Sequence, residues 1–355
     1  MSSIGEQFEL YSGNTPSRMN KNQFDGSINW ITSGELKEHY ISDTKEKISE
    51  EAAKNNSLKL LPVGTFVIAI YGLEANGVRG TCSITTREST ISQACMAFTS
   101  KMDIQNEFLY SWYKKHGNII GIKYAQGTKQ QNLSYDIIER FNISYPCMEE
   151  QKKLIRFISL IDQRIATQNK IIYKLKSLIR GIAQNMVHRG KPNVRLSDCM
   201  ICNSSTLQES EVLESGTYPV YGANGIVGYL DCYATLNEAI YIIKDGSGVG
   251  TVFYVAGKCS AAGTLNTLQA KEGYSLQYLY YLLTVFNFEP YKTGMAIPHI
   301  YFKDYGKAKV FCPSHSEQFK YTKLLSTIDS KLLAEQNALV NYNLQKQYLL
   351  RQMFI

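Results

Sequence analysis

The sequence lacks the long apolar segments that place a protein in or across a membrane. No stretch approaches the roughly 18 consecutive apolar residues typical of a membrane-spanning helix. The first residues, MSSIGEQFELYSG, also lack the basic and apolar parts of a secretory signal. We therefore expect a cytoplasmic protein without a membrane partner.

Cysteines and histidines are too dispersed to predict a metal centre or a catalytic triad. Cys199 and Cys202 are the only close cysteine pair, and neither a second such pair nor a histidine pair follows at zinc spacing. The 5 histidines lie far apart in the sequence. Buried, reduced thiols are the expected state of the 8 cysteines, and no metal site or cofactor is expected in this chain.

Acidic residues are scarce in one part of the chain. Residues 150–195 contain 11 Lys and Arg against 2 Asp and Glu, whereas the blocks 1–149 and 196–312 are each slightly acidic. The net charge of +7 therefore comes mainly from one segment. Charge alone does not predict that the acidic blocks bind a nucleic acid.

A segment of the sequence occurs twice, 167 residues apart. PCMEEQKKLIRFISLIDQRI (146–165) and PSHSEQFKYTKLLSTIDSKL (313–332) keep Pro, Glu-Gln, Lys, Ser and Ile-Asp in one register. The same shift relates Gly127 to Gly294 and Met186 to Met353 without a gap. A chain of 355 residues exceeds one comfortable core, so the repeat predicts two related halves.

Both repeated segments carry apolar residues at alternating spacings of four and three, which predicts two long helices paired along a heptad seam. A helix over about 149–188 would be roughly 60 Å long. The predicted seam consists of Leu154, Ile158, Ile161, Ile165, Gln168, Ile172, Leu325, Ile328, Leu332, Glu335 and Leu339. Gln168 and Glu335 interrupt it at equivalent places, so an antiparallel pair would set them opposite each other.

Strand and turn signals fill the two blocks that precede the helices. The first block contains GTFVIAIYG (64–72) and GTKQQNLS (127–134), and the second contains AIYIIKDGSGVGTVFYV (239–255) and TGMAIPHI (293–300). Gly246, Gly248 and Gly250 lie between two strand-like runs, which favours a tight turn over a phosphate-binding loop. The predicted fold class is α/β (α+β), with two globular domains separated by two long helices that form an antiparallel coiled-coil spacer with pseudo-two-fold internal symmetry.

These phrases resemble the specificity subunits of type I restriction–modification systems. GNTPSR (13–18), WITSGELK (30–37), GTKQQNLS and the two P-x-x-x-E-Q helices carry the resemblance, which covers nearly the whole chain. It implies target recognition domains at 1–148 and 191–312, and helical spacer regions at 149–190 and 313–355. It also implies a DNA-binding subunit without catalytic activity, in which each domain reads one half of a bipartite target and the helices set the gap.

The resemblance further implies partners for the chain. They are double-stranded DNA, two methyltransferase subunits that dock on the helices, and restriction subunits whose presence the sequence leaves open. S-adenosylmethionine, ATP and Mg²⁺ would be bound by those partners.

For DNA contact, the candidates are turn residues with hydrogen-bond donors or planar side chains. In the first domain they are Thr15, Ser17, Arg18, Lys21, Asn22, Thr32, Ser33, Lys37, Arg79, Lys129, Gln130, Gln131 and Asn132. In the second domain they are Tyr221, Asn224, Tyr229, Lys244, Ser247, Asn266, Lys292 and His299. For any one of them, a solvated loop side chain is an equally good interpretation.

Two other functions compete with this interpretation. Asp25, Glu35 and Lys37 form a D-x9-E-x-K pattern of the kind that holds Mg²⁺ in self-sufficient restriction endonucleases. Glu35 lies in SGELK, where a turn is more natural than the strand that such sites use. The chain could also be a coiled-coil scaffold without a role in DNA binding.

Overall fold

The computed structural model describes residues 2–101 and 103–354, and it describes Lys21 through its backbone alone. These residues divide into two compact units. Unit 1 comprises Met1–Thr167 with Leu339–Ile355, and unit 2 comprises Gln168–Ala338. Each unit therefore contains one globular domain and parts of both long helices, whereas the sequence-based boundaries separate domains from helices.

The globular domain of unit 1 is built on a five-stranded sheet. Its strands are β1 (Ser2–Ser3), β2 (Phe8–Ser12), β3 (Ile28–Ile31), β4 (Tyr40–Ile41), β5 (Lys47–Ile48), β6 (Phe66–Ala69), β7 (Cys82–Thr85), β8 (Ser89–Ile91), β9 (Cys95–Ser100) and β10 (Asn142–Ile143). The large sheet has the order β2-β9-β6-β7-β4, and smaller sheets have the orders β5-β3-β8 and β1-β10. All four residues of β6 are buried, as expected for a continuous apolar run in a central strand.

Helices cover this sheet and then extend beyond the domain. They are α1 (Ile4–Gln7), α2 (Glu50–Asn55), α3 (Asn106–Tyr124), α4 (Tyr135–Glu139) and the 41-residue α5 (Met148–His188). The aromatic residues Phe66, Phe98 and Phe108 are almost fully buried between α3 and the sheet. Burial of these large apolar side chains is the main stabilising term of the domain.

The globular domain of unit 2 repeats this plan with a shorter helix. Its elements are β11 (Val194–Arg195), α6 (Leu196–Cys199), β12 (Met200–Ser204), β13 (Tyr218–Gly222), β14 (Gly225–Leu230), β15 (Glu238–Ile243), β16 (Val252–Ala256), β17 (Ser260–Ala261), β18 (Leu265–Ala270), α7 (Leu276–Thr284), α8 (Phe302–Tyr305) and β19 (Lys309–Val310). The main sheet has the order β12-β18-β15-β16, and smaller sheets have the orders β14-β13-β17 and β11-β19. The strands, helices and turns of both domains agree with the predicted mixed fold class.

The chain ends in a second long helix, α9 (His315–Met353), which runs antiparallel to α5 within each unit. In unit 1, Lys346 lies 2.5 Å from Asp162, and the Arg164 Nε donates to the Tyr342 hydroxyl at 3.2 Å. In unit 2, the Arg189 guanidinium donates to the Tyr321 hydroxyl at 2.6 Å. In both units, later residues of one helix thus meet earlier residues of the other.

The predicted seam residues lie on the inner faces of α5 and α9. Ile158, Ile172, Gln168 and Leu325 are buried, and the remaining seven are half-buried. The Gln168 amide donates to the Glu335 backbone carbonyl at 3.0 Å and to the Glu335 carboxylate. The two polar residues that interrupt the seam therefore contact each other in unit 2.

Candidate nucleic-acid interface

Two hairpins, 167 residues apart, have the same backbone conformation in the two domains. Gln126 and Asn132 exchange backbone hydrogen bonds of 2.8 and 2.9 Å, and Thr293 and His299 exchange bonds of 2.9 and 2.7 Å. The first residue inside each hairpin is a glycine with positive φ, Gly127 or Gly294. A Cβ atom at either glycine would lie within 2.3 Å of a carbonyl oxygen three residues later, so the tight hairpin requires glycine.

Each hairpin docks on the loop that follows the central strand of its domain. In unit 1, the amides of Leu73 and Leu133 donate to the carbonyls of Gln131 and Ile70 at 3.0 and 2.8 Å. In unit 2, the amides of Gly246 and Ile300 donate to the carbonyls of Pro298 and Lys244, both at 2.9 Å. We name residues 70–80 with 126–132 loop cluster 1, and residues 244–250 with 293–299 loop cluster 2.

The side chains that hold the loops together differ between the clusters. In loop cluster 1, the Arg79 guanidinium donates to the Gln131 side-chain carbonyl at 2.5 Å. The backbone N–H of Gln131 donates to the Glu74 carboxylate at 2.7 Å. In loop cluster 2, the His299 Nδ1–H donates to the Asp245 carboxylate at 2.7 Å. The hairpin backbone is therefore shared, whereas the side-chain chemistry is specific to each domain.

The structure brings eight of the predicted contact residues into these clusters and places the others elsewhere. The eight are Arg79, Lys129, Gln130, Gln131, Asn132, Lys244, Ser247 and His299. Thr15, Ser17, Arg18, Asn22, Thr32, Ser33 and Lys37 precede or follow β3, and Tyr221, Asn224 and Tyr229 lie on or between β13 and β14. The side chain of Lys21 lies outside the described residues.

Several predicted residues are exposed, and their side chains form no hydrogen bond with any described residue. They are Ser17, Asn22, Lys37, Lys129, Gln130, Asn224 and Ser247. Such side chains can bind a ligand without first breaking a contact within the protein.

Other predicted residues are engaged within the chain. Arg18 forms two parallel hydrogen bonds with Glu46 at 2.8 and 2.9 Å, and its guanidinium lies 5.2 Å from the centre of the Phe24 ring. Lys292 pairs with Glu289 at 2.6 Å. Asn266 is buried in β18, where its side-chain oxygen accepts a hydrogen bond from Ser204 at 2.7 Å. Arg18 and Lys292 would have to exchange these partners to contact DNA.

Glu35 has a structural role in its turn. One carboxylate oxygen accepts hydrogen bonds from the backbone and hydroxyl of Thr32 at 2.9 and 3.0 Å, and the other accepts from the Lys45 amide at 2.7 Å. Within residues 2–101 and 103–354, no cluster of three His, Cys, Asp or Glu side chains could hold a metal ion. Nothing in this arrangement favours the endonuclease alternative.

The glycines at 246, 248 and 250 form the predicted turn between strands. They connect β15 to β16, which pair antiparallel from Glu238 and Ala256 to Ile242 and Val252. Their amides therefore do not lie at the N-terminus of a helix, as a phosphate-binding loop would require.

Sequence reasoning missed two residues that organise loop cluster 1. Glu74 fixes the Gln131 backbone, and Gly121 on α3 lies directly beneath the Arg79 side chain. Neither belongs to a motif. The only signal in the sequence is the presence of two glycines four residues apart, Gly117 and Gly121, inside a helix, where glycine is unfavourable unless packing requires it.

Two equivalent α/β domains, each with a polar loop cluster on a common backbone, define a duplicated recognition protein. The chain belongs to the family described as type I restriction modification DNA specificity domain, whose model matches residues 1–177 and 191–342. No helix in the described part of the chain is long and apolar enough to cross a membrane.

Relatives of the chain are named as specificity subunits of type I restriction enzymes. The chain is 29% identical over 174 residues to the type I restriction enzyme MjaIX specificity subunit of Methanocaldococcus jannaschii, which covers 47% of this chain and 39% of that protein. It is 21% identical to the EcoprrI specificity subunit of Escherichia coli over 92% of this chain and 86% of that protein. The crystal structure of a type I S subunit from M. genitalium superposes with a TM-score of 0.65 at 17% identity, over 100% of this chain and 95% of that one. This likeness shows the same fold.

Proposed function

We propose that the chain is the sequence-specificity subunit of a type I restriction–modification complex. Loop cluster 1 and loop cluster 2 would each read one half of a split DNA target. The observation that carries this proposal is the shared hairpin backbone of the two clusters combined with their different side chains. A scaffold that is held constant while its exposed donors change is what two readers of different sequences require.

The long helices would set the gap between the half-sites and dock two methyltransferase subunits. S-adenosylmethionine would be bound by those subunits, and ATP and Mg²⁺ by restriction subunits where these are present. The assignment to the specificity family supports this division of labour. The engaged state of Glu35 also supports it, because a carboxylate committed to three intrachain donors is a poor metal ligand.

Exchange of one domain tests the proposal. The chain would be co-expressed with its methyltransferase subunit, and residues 196–312 would be replaced by the matching block of a relative. We expect genome-wide mapping of methylated bases to show a change in one half of the target and preservation of the other half. A target altered in both halves, or in neither, would contradict the two-reader proposal.

An activity assay on the purified chain distinguishes the proposed subunit from the endonuclease alternative. We expect it neither to cut nor to methylate DNA when Mg²⁺ and S-adenosylmethionine are supplied. Mg²⁺-dependent cleavage that disappears in Glu35→Ala would replace the subunit proposal with an endonuclease. Arg140→Ala, an exposed substitution far from Glu35 in the sequence, serves as the matched control.

A further inference from the structure

The Arg79 side chain is fixed along its whole length although it lies in a loop. Its aliphatic part crosses α3 at Gly121, where an added Cβ atom would lie 2.6 Å from Cγ and 2.9 Å from Cδ of Arg79. Its Nη2 donates to Gln131 at 2.5 Å. Gln131 is fixed in turn, because its backbone N–H donates to the Glu74 carboxylate and its backbone carbonyl accepts a hydrogen bond from the Leu73 amide.

The charge of Arg79, in contrast, is not neutralised by an ion pair. Its hydrogen-bond partner is a neutral amide; among the described residues the nearby Glu74 carboxylate lies beyond ion-pair contact, although the Gln131 backbone N–H and, to a smaller degree, the charge of Arg79 help to lower the pKa of Glu74. The Nε atom is buried and has no hydrogen-bond partner among those residues. Arg18 differs, since Glu46 occupies its guanidinium with two parallel hydrogen bonds. Arg79 is therefore pre-oriented, and the donors it keeps for an external acceptor are those of Nη1 and the second N–H of Nη2, because Nε is buried.

The chemistry of this pair selects one kind of base edge. A guanidinium presents donors in a fixed fork, and guanine is the base whose major-groove edge offers two acceptors, O6 and N7. The side-chain carbonyl of Gln131 is already used to hold Arg79. The free part of the Gln131 side chain is therefore its NH₂ group, which is also a donor. The pair thus presents donors to an acceptor edge, and fixing the side chain in advance lowers the entropy cost of binding.

We propose that Arg79 is a base-reading residue for a guanine in the half-site of the first domain, with Gln131 and Gly121 as its positioning residues. This inference rests on the proposed function and assigns a base class to loop cluster 1. Loop cluster 2 contains no equivalent unit, because Val249, which precedes Gly250 as Arg79 precedes Gly80, is apolar and buried. The second half-site would be read by different chemistry.

The test is methylation mapping in cells that express each variant with the methyltransferase subunit. In Arg79→Gln and Arg79→Lys, we expect discrimination at one G·C pair of the first half-site to fall roughly 10- to 100-fold, because a bidentate contact is lost. Gly121→Ala should weaken discrimination at the same pair, since the added methyl displaces the Arg79 stem. The second half-site should stay unchanged in every variant.

Two controls separate base reading from damage to the fold. Gly117→Ala places a Cβ 2.5 Å from the Tyr113 ring and so strains α3 without touching Arg79. It should leave base preference unchanged, as should Arg140→Ala. Thermal unfolding of each variant would show whether its fold is retained.

Other outcomes would overturn the inference. They are a first half-site without a G·C pair, unchanged preferences in the Arg79 variants, or an even loss of methylation across all sites, which would indicate a phosphate contact. Absence of any bipartite methylation by the parent chain would instead contradict the proposed function, so the two failures are distinguishable.

Discussion

At the scale of single residues, burial and long-range contacts decide what each polar side chain can do. His116 on α3 packs against Trp112 with ring centres 4.7 Å apart and the ring planes tilted by 34°, and burial together with the neighbouring Lys115 lowers its pKa below the usual value. Lys115 donates to the Arg351 carbonyl at 2.8 Å, and the Phe354 ring lies 5.2 Å from that of Phe108. These residues hold the end of α9 on α3 within unit 1.

The lowered pKa of His116 makes the stability of unit 1 sensitive to acid. The unfolded chain takes up a proton at a higher pH than the folded one, so the free energy of unfolding should fall as the pH drops below about 6.5. His116→Gln should reduce this loss, as measured by urea unfolding at pH 7.5 and pH 5.5. His315→Gln, at an exposed position, is the control. Equal pH responses in the parent chain and His116→Gln would contradict the prediction.

At the scale of secondary-structure elements, the polar contact in the helix seam combines cost with specificity. Gln168 is buried, and its amide is bonded to the backbone and carboxylate of Glu335. Glu335 also pairs with Lys331 one turn earlier. A single polar layer fixes the register of paired helices at some cost in stability.

Replacement of one or both members of this layer should have opposite effects. Gln168→Leu alone should lower the free energy of unfolding by about 1–3 kcal/mol, because it places an apolar side chain against a half-buried carboxylate. Gln168→Leu with Glu335→Leu should be at least as stable as the parent chain and should loosen helix register. Urea unfolding measures the first effect, and a broader distribution of half-site gaps in the methylome measures the second. A double variant less stable than the single variant would count against this account.

At the scale of the whole molecule, the constant 167-residue shift distinguishes the long helices, which would set the gap between half-sites, from the loops that would contact DNA. The repeat is ungapped from Gly127 to Met186, which includes most of the first hairpin and all of α5 except its last two residues. The loops after the central strands differ in length and side chains, as residues 70–80 and 244–250 show. Gap length and base preference should therefore respond to different changes.

Insertion of one heptad into each long helix should alter the gap alone. Seven residues add about 10 Å of helix, which corresponds to about three base pairs. The half-site sequences should be preserved because the loop clusters lie outside the helices. Methylome sequencing of the variant beside the parent would show the shift, and insertion of four residues, which breaks the seam, is the control. An unchanged gap would show that the helices do not set it.

The sequence by itself determined the duplication, the two long helices, the seam with its polar interruption and the mixed fold class. All of these depend on local periodicity or on an internal register, which a linear chain displays directly. It also indicated the two hairpins through GTKQQNLS and TGMAIPHI. The domain boundaries remain predictions. The contact residues do so as well, since their function depends on contacts with DNA.

Only the tertiary structure decided which candidate side chains are free and which are engaged. Arg79 and Gln131 are 52 residues apart, and Asp245 and His299 are 54 apart, so no spacing in the sequence reveals either pair. The structure also showed that Glu35 caps a turn and that Asn266 is buried. The physical reason is that closure of the sheets brings distant loops together, and hydrogen bonds form with whatever side chains that closure places within about 3 Å.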